Sequence, residues 1–287
     1  MNFVLGARGR LGRAMIDFSQ KNQVIALSRD VYSTWGSPHA APSISRYFEQ
    51  FQTSTNDEER VIYVTSGLLD PSLSAEDHET VNYSLAKNII VGASKLGFKV
   101  VTFGTVMEQV LGLSSPNPYV ASKAKLGLFV GDYATRAPVL HIQLHTLYGK
   151  DLPSEFMFMG QILDALIKKE EFKMSPGSQL REYHHVHDEV QAISTLLKEK
   201  LTGTVALSHG SPVSLKALAS HVFEHFGCSH LLKLGALPAP AKENFELIFK
   251  RPQALEGVFF RDTLSALVIY LQDCITAINN KEHLCPV

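Results

Sequence analysis

Tyr119 and Lys123 stand four residues apart in Pro118-Tyr119-Val120-Ala121-Ser122-Lys123. On a helix this spacing puts both side chains on one face. A phenol beside an ammonium points to acid–base chemistry. Bringing a free tyrosine from a pKa of about 10 to about 7 takes about 4 kcal/mol. An ammonium one helical turn away in a dry cleft can supply much of that. Tyr119 could then exchange a proton at neutral pH. The spacing alone is weak, because Tyr83 and Lys87 repeat it. Position separates the two pairs. Tyr119 follows the strand candidate Lys99–Phe103 and Thr105, whereas Tyr83 lies within the preceding helix. Thr105 comes just past the apolar run Val100-Val101-Thr102-Phe103, at the edge where open α/β sheets bind ligands. Its hydroxyl could hold a carbonyl oxygen near Tyr119.

A second candidate site opens the chain. Phe3-Val4-Leu5 reads as a strand, Gly6-Ala7-Arg8-Gly9-Arg10-Leu11-Gly12 as a glycine loop, and the residues after it as a helix. Glycines at this junction allow a tight turn and close approach of backbone to a pyrophosphate. The helix N-terminus adds oriented N–H groups. The second strand ends in Ser28-Arg29-Asp30. Arg8 and Arg29 would suit the 2′-phosphate of NADP, while Asp30 leaves NAD open.

These groups need elements to position them. Apolar runs at Phe3–Leu5, Val24–Leu27, Val61–Val64, Lys99–Phe103 and Val139–Leu144 read as strands. Helices are expected near 10–20, 79–97 and 119–135, and later near 156–169, 188–200, 214–226 and 262–279. Shorter strands are expected near 182–186, 203–208 and 231–234. The alternation predicts an α/β, Rossmann-type doubly wound parallel sheet with a smaller, interleaved C-terminal domain. The dinucleotide domain is expected over 1–149 plus part of 182–205, and the substrate domain over 150–181 and 206–287.

Composition narrows the function. Lys+Arg 27 against Asp+Glu 28 leaves a net charge of −1. That is no footprint for nucleic acid or an anionic membrane surface. No apolar run approaches the length of a membrane span. Cys228, Cys274 and Cys285 form no CxxC pair, which favours a reducing, cytoplasmic setting. His184, His185 and His187 cluster, yet no metal motif completes them, so no metal is expected.

Taken together, the glycine loop, Thr105, Tyr119 and Lys123 resemble the extended short-chain dehydrogenase/reductases, in the NAD-dependent epimerase/dehydratase family. Asn82-Tyr83-Ser84-Leu85-Ala86-Lys87-Asn88 is similar to that family's helix with two asparagines six apart. Leu144-His145-Thr146-Leu147-Tyr148-Gly149 resembles its segment ending in Tyr-Gly, although Thr146 stands where asparagine is usual. Arg181-Glu182-Tyr183-His184-His185-Val186-His187-Asp188 resembles its phosphate-binding arginine followed by a helix-starting aspartate. The dehydratases of the family carry Asp-Glu after the threonine, where this chain has Val106-Met107. Phe103-Gly104-Thr105 and Ser211-Pro212-Val213-Ser214-Leu215-Lys216 look most like the O-antigen 4-ketoreductases of the paratose and abequose synthase kind.

The resemblance implies an NAD(P)H-dependent reductase of a 4-keto nucleotide deoxysugar, serving surface-polysaccharide (lipopolysaccharide) biosynthesis. Its catalytic residues would be Thr105, Tyr119 and Lys123. Its cofactor contacts would be Gly6, Arg8, Gly9, Arg10, Leu11, Gly12, Ser28, Arg29, Ser66, Asn82, Tyr119 and Lys123. Thr105, Thr146 and Arg181 would meet the nucleotide sugar. The family also implies a homodimer packed through the helices near 79–97 and 119–135. An epimerase that holds NAD in a closed cycle is a second expectation. A non-catalytic NAD(P)-binding sensor or scaffold of the same fold is a third.

Overall fold

The computed structural model describes residues 1–19, 24–52 and 60–282, with backbone only for the last two. Cys285 lies outside the described residues. The chain divides into two compact units. The first comprises Met1–Leu144, Val190–Leu207 and Pro252–Glu256. The second comprises His145–Glu189, Ser208–Arg251 and the segment from Gly257 on.

The first unit starts with β1 (Asn2–Leu5), α1 (Arg10–Phe18), β2 (Val24–Ala26), α2 (Arg29–Tyr32), α3 (Ala41–Glu49) and β3 (Val61–Val64). Then come α4 (Ala75–His78), a π-helical turn over Glu79–Ser84, α5 (Leu85–Ala93), β4 (Lys99–Thr105), α6 (Met107–Leu111), α7 (Pro118–Tyr133) and β5 (Val139–Leu144). The second unit starts with β6 (Thr146–Tyr148), α8 (Phe158–Lys168), β7 (Phe172–Lys173), β8 (Leu180–Arg181) and β9 (Tyr183–His185). α9 (Val186–Lys198) starts in the second unit and runs into the first, which also holds β10 (Gly203–Ala206), and the second unit resumes with β11 (Val213–Ser214), α10 (Leu215–His225), β12 (Leu232–Lys233) and α11 (Thr263–Glu282).

The main sheet has six strands in the order β10-β5-β4-β3-β1-β2, and its pairs are all parallel. This is the Rossmann-type architecture. β3, β4 and β5 are buried at every residue, as strands covered on both faces must be. The strand order reverses between β1 and β3, so the turns after these two strands flank the switch point, where such sheets bind ligands. One face is filled by aromatic rings. Phe3 meets Phe48 edge-on with centroids 5.2 Å apart and Phe98 at 5.9 Å. Trp35 joins them from the segment after α2.

Residues 145–149, expected in the dinucleotide domain, group with the second unit instead. Thr146–Tyr148 pairs with Tyr183–His185 rather than extending the main sheet. Residues 252–256, expected in the substrate domain, group with the first unit. The second core lies among α8, α10 and α11 around Leu163, Phe223, Leu267 and Leu271. Cys274 is buried there, and Cys228 is a free thiol. Among the described residues no helix is long and apolar enough to cross a membrane.

Candidate active site

Thr105 is the last residue of β4, and Tyr119 and Lys123 lie on the first turns of α7. Asn117 caps that helix by accepting the Tyr119 N–H at 3.0 Å, with Pro118 at the first helical position. The structure brings the three expected catalytic residues together. The Thr105 side chain neighbours the Tyr119 phenol and favours its ionised form. Lys123 is buried, and its Nζ donates to the Phe103 carbonyl at 2.7 Å.

The expected lowering of the Tyr119 pKa does not occur in this arrangement. Burial pushes the phenol up, the negative charge of Glu108 pushes it further, and the neighbouring Thr105 side chain offsets only part of this. One Lys123 N–H is given to the Phe103 main-chain carbonyl. Burial lowers its pKa to about 8, against the opposing pull of Glu108. Tyr119 therefore carries its proton at neutral pH.

Tyr83 and Lys87 do something else. The Lys87 ammonium lies 5.5 Å from the centre of the Tyr83 ring, and the Lys125 ammonium lies over it at 4.3 Å. This pair is a cation–aromatic cluster between helices.

The glycine loop suits a dinucleotide. Gly6 has φ +81°, and a Cβ there would stand 2.5 Å from the Ser66 nitrogen. A Cβ on Gly12 would stand 2.3 Å from the Gly6 carbonyl oxygen. Both positions demand glycine, and they press α1 against the β1 turn. Gly9 precedes α1 with no side chain to cap it, and the first turn holds no acidic residue, so the helix start favours an anion. Ser66 Oγ is enclosed without a hydrogen-bond partner in the turn after β3. An orphaned donor beside a glycine cradle at the switch point is what a bound pyrophosphate would complete. Leu11 is buried as α1 enters the fold, and Arg10 starts the helix. Arg8, Ser28, Arg29 and Asp30 are all exposed, the last three just past the end of β2.

Asn82 is buried and fully engaged. Its Oδ1 accepts the Leu68 N–H at 2.9 Å, and its Nδ2 reaches the Leu68 carbonyl, His78 Nδ1 and Ser122 Oγ at 3.0–3.2 Å. It ties the turn after β3 to α7, a positioning task rather than an open contact. Asn88, six residues on, donates to the Trp35 and Ser37 carbonyls.

Thr146 and Arg181 lie in the second unit. The Arg181 guanidinium is ion-paired with Glu243 and donates to its neighbour's carbonyl, so it already holds a carboxylate. Asp188, expected to start a helix, instead sits in the first turn of α9 and binds Arg261 through both main chain and side chain.

Sequence reasoning missed two buried polar groups. The first is Glu108 with His141 and Gln143. The signal was available: His141 and Gln143 are polar residues two apart in an otherwise apolar strand, so they face the same way. The second surrounds Glu182. His184 Nδ1 lies 2.6 Å from Glu189 and its Nε2 lies 3.0 Å from Glu182. Glu182 also accepts from Ser208, His209 N–H and Gly210 N–H. One ligand atom each from Glu182, His184 and His209 lies within 4.8 Å of the others. Burial opposes charge on His184, but the charges and bonds of Glu189 and Glu182 outweigh it and raise its pKa to about 9.

This cluster predicts a pH effect on stability. The folded-state pKa of His184 exceeds the unfolded value of 6.5, so its contribution is full below that value and fades as pH rises through about 9. Urea unfolding is expected to show a loss of about 1–2 kcal/mol between about pH 6.5 and 8. His184→Gln should flatten that slope. A slope unchanged in the variant would remove His184 as its source.

The comparisons with known proteins come to the same fold. MoeE5 in complex with UDP-glucose and NAD superposes with a TM-score of 0.73 at 18% identity, covering 96% of this chain and 99% of that one. UDP-glucose 4-epimerase of Thermotoga maritima with UDP-glucose gives 0.72 at 16% identity, covering 97% and 100%. The dTDP-4-dehydrorhamnose reductase of Bacillus anthracis in complex with NADP gives 0.71 at 17% identity, covering 95% and 98%. No curated protein matches the sequence significantly. The model of the family described as "NAD dependent epimerase/dehydratase family" matches residues 2–206, a span that carries the glycine loop, Thr105, Tyr119 and Lys123, and the chain belongs to this family.

Proposed function

We propose that the protein is an NAD(P)H-dependent reductase of a 4-keto nucleotide-activated deoxysugar, whose product feeds a surface polysaccharide. The observation that carries this reading is Tyr119, a proton-loaded phenol beside Thr105 at the C-terminal end of β4. A group that gives a proton to a new alkoxide must carry that proton at the working pH. When bound, the dinucleotide supplies a hydride to the carbonyl carbon. Gly6, Gly9, Gly12 and Ser66 would hold its pyrophosphate, and Lys123 its nicotinamide ribose. Tyr119 gives the carbonyl oxygen its proton, while Thr105 orients that oxygen. Arg8 and Arg29, exposed near the adenine end expected for the dinucleotide, support NADP over NAD. Arg181 would exchange Glu243 for the diphosphate of the nucleotide sugar. A homodimer through α5 and α7 belongs to the same reading, with Leu128 exposed on α7.

The test is NADPH oxidation in the presence of 4-keto-6-deoxy sugar nucleotides. The expected result is stoichiometric loss of NADPH with formation of the 4-hydroxy sugar. A dinucleotide that copurifies in full occupancy, with 4-epimerisation and no net NADPH loss, would make the protein an epimerase instead. Dinucleotide binding without turnover across the panel would make it a sensor or scaffold.

A further inference from the structure

The register of β4 and β5 sets Thr102 opposite His141 and Gly104 opposite Gln143. Each pair of residues two apart shares one sheet face. Against that face lies the side chain of Glu108 from α6, only 7% exposed. Its Oε1 accepts the Thr105 N–H at 2.7 Å, and its Oε2 accepts from the Gln143 amide at 2.9 Å. His141 Nε2 lies 3.3 and 3.2 Å from the two oxygens, and its Nδ1 lies 2.8 Å from the Thr102 hydroxyl. Gln143 is held in turn by Gln109 at 2.6 Å.

Space for this carboxylate is made by missing side chains. A Cβ on Gly104 would stand 2.0 Å from Oε1, and one on Gly127 would stand 2.6 Å from Oε2. Gly127 is one turn beyond Lys123 on α7. A buried carboxylate is costly unless bonded. Here burial would raise its pKa, but His141, Gln143 and the Thr105 N–H outweigh burial and hold it below the usual range. The charge is permanent at neutral pH.

We propose that Glu108 is a positioning residue of the Tyr119 site: it anchors the Thr105 main chain and sets a fixed negative charge behind Tyr119 and Lys123, so that both stay loaded with protons and the site delivers a proton rather than taking one. The role in delivery rests on the acid role of Tyr119 given above. The titratable groups around Glu108 are His141 on β5 and Tyr119 and Lys123 on α7, with the His78 ring edge-on to Tyr119 at 6.4 Å between centroids. Neither Val106 nor Met107 supplies a charge. The acidic side chain nearest Thr105 in this segment is Glu108, buried and already bonded to Thr105 and Gln143, so it does not act on substrate directly.

Glu108→Gln tests the charge while keeping the shape. Lysine labelled with carbon-13 at Cε reports the Lys123 titration by NMR in the protein without substrate, with Lys123→Arg assigning the resonance. The midpoint is expected to fall by about one pH unit in Glu108→Gln. In the reduction assay kcat should drop about 10-fold and its alkaline limb move to lower pH, with KM for NADPH within about twofold. Glu108→Asp keeps the charge but shortens the reach, so the Lys123 midpoint should hold while kcat falls as Thr105 loosens. An unmoved Lys123 midpoint and pH profile in Glu108→Gln overturns the charge role. An unchanged kcat in Glu108→Asp overturns the anchoring role, and this variant decides the matter if the glutamine form does not fold. The NMR titration needs no substrate. A shifted midpoint together with full turnover by Tyr119→Phe would refute the acid role of Tyr119 and leave the electrostatic effect of Glu108 standing.

Discussion

Tyr119→Phe is expected to slow ketone reduction by about 10²–10⁴-fold while leaving dinucleotide affinity within about twofold. The hydroxyl beside Thr105 disappears, and the substrate oxygen then has to find its proton elsewhere. The ring stays, so the packing against His78 and the helix cap at Asn117 are kept. Tyr83→Phe is the paired control. Its ring serves Lys87 and Lys125 as an aromatic face, a role phenylalanine fills nearly as well. Its turnover should stay within about threefold of wild type, since no proton chemistry is lost. Steady-state NADPH oxidation by both variants checks the pair. Full turnover by Tyr119→Phe with loss in Tyr83→Phe would reverse the assignment.

Gly12→Ala should abolish dinucleotide binding, and Gly9→Ala should separate the reasons for the loop's glycines. The added methyl at residue 12 would lie 2.3 Å from the Gly6 oxygen and 2.8 Å from Thr65 Oγ1. Neither can yield cheaply, because the Gly6 carbonyl is main chain and the threonine hydroxyl bonds the Leu5 carbonyl. Helix α1 must then back away from the β1 turn, taking its N-terminal N–H groups with it. We expect a loss of about 2–4 kcal/mol in stability and of more than about 100-fold in NADPH affinity. Gly9 differs. It has φ −72°, and a Cβ would meet only the Gly6 oxygen at 3.3 Å. Gly9→Ala should therefore melt within about 2 °C of wild type, yet bind NADPH at least about 10-fold more weakly, because the methyl stands where backbone must approach phosphate. Fluorescence titration with NADPH and a thermal melt decide both variants. Unchanged affinity in Gly9→Ala would mean that no ligand comes close to this turn.

The sequence carries the scaffold well where a residue's environment follows from its neighbours in the chain. β3 and β5 fill the apolar runs 61–64 and 139–144. α7 starts at its Pro-Tyr signal one residue ahead of expectation. Helix α3 was not legible, because only Ile44 and Phe48, four residues apart, bury, while Pro42, Ser43 and Ser45 read as a loop. The helix expected from residue 79 begins at Ala75, where Ser74 accepts the Asp77 N–H at 3.0 Å. The π-helical turn that follows has no signature in residue spacing. The site shows the same division. The glycine loop and the Thr105, Tyr119 and Lys123 set follow from local pattern. Glu108 does not, since its meaning depends on Gly104, Gly127, His141 and Gln143 being neighbours through strand register and helix packing. The direction of the Lys123 ammonium was hidden for the same reason. Helical spacing puts it on the Tyr119 face, but the Phe103 carbonyl that claims it comes from another element.

Transfer of label from dinucleotide to sugar tests the whole account most directly. NADPH carrying deuterium at its transferable position is incubated with the protein and a 4-keto-6-deoxy sugar nucleotide, and the product is read by mass spectrometry and NMR. One deuterium bound to carbon 4 of the sugar, formed by wild type and lost in Tyr119→Phe, is the predicted result. Product without deuterium, or deuterated product formed equally well by Tyr119→Phe, would contradict a phenol-assisted hydride delivery at this site.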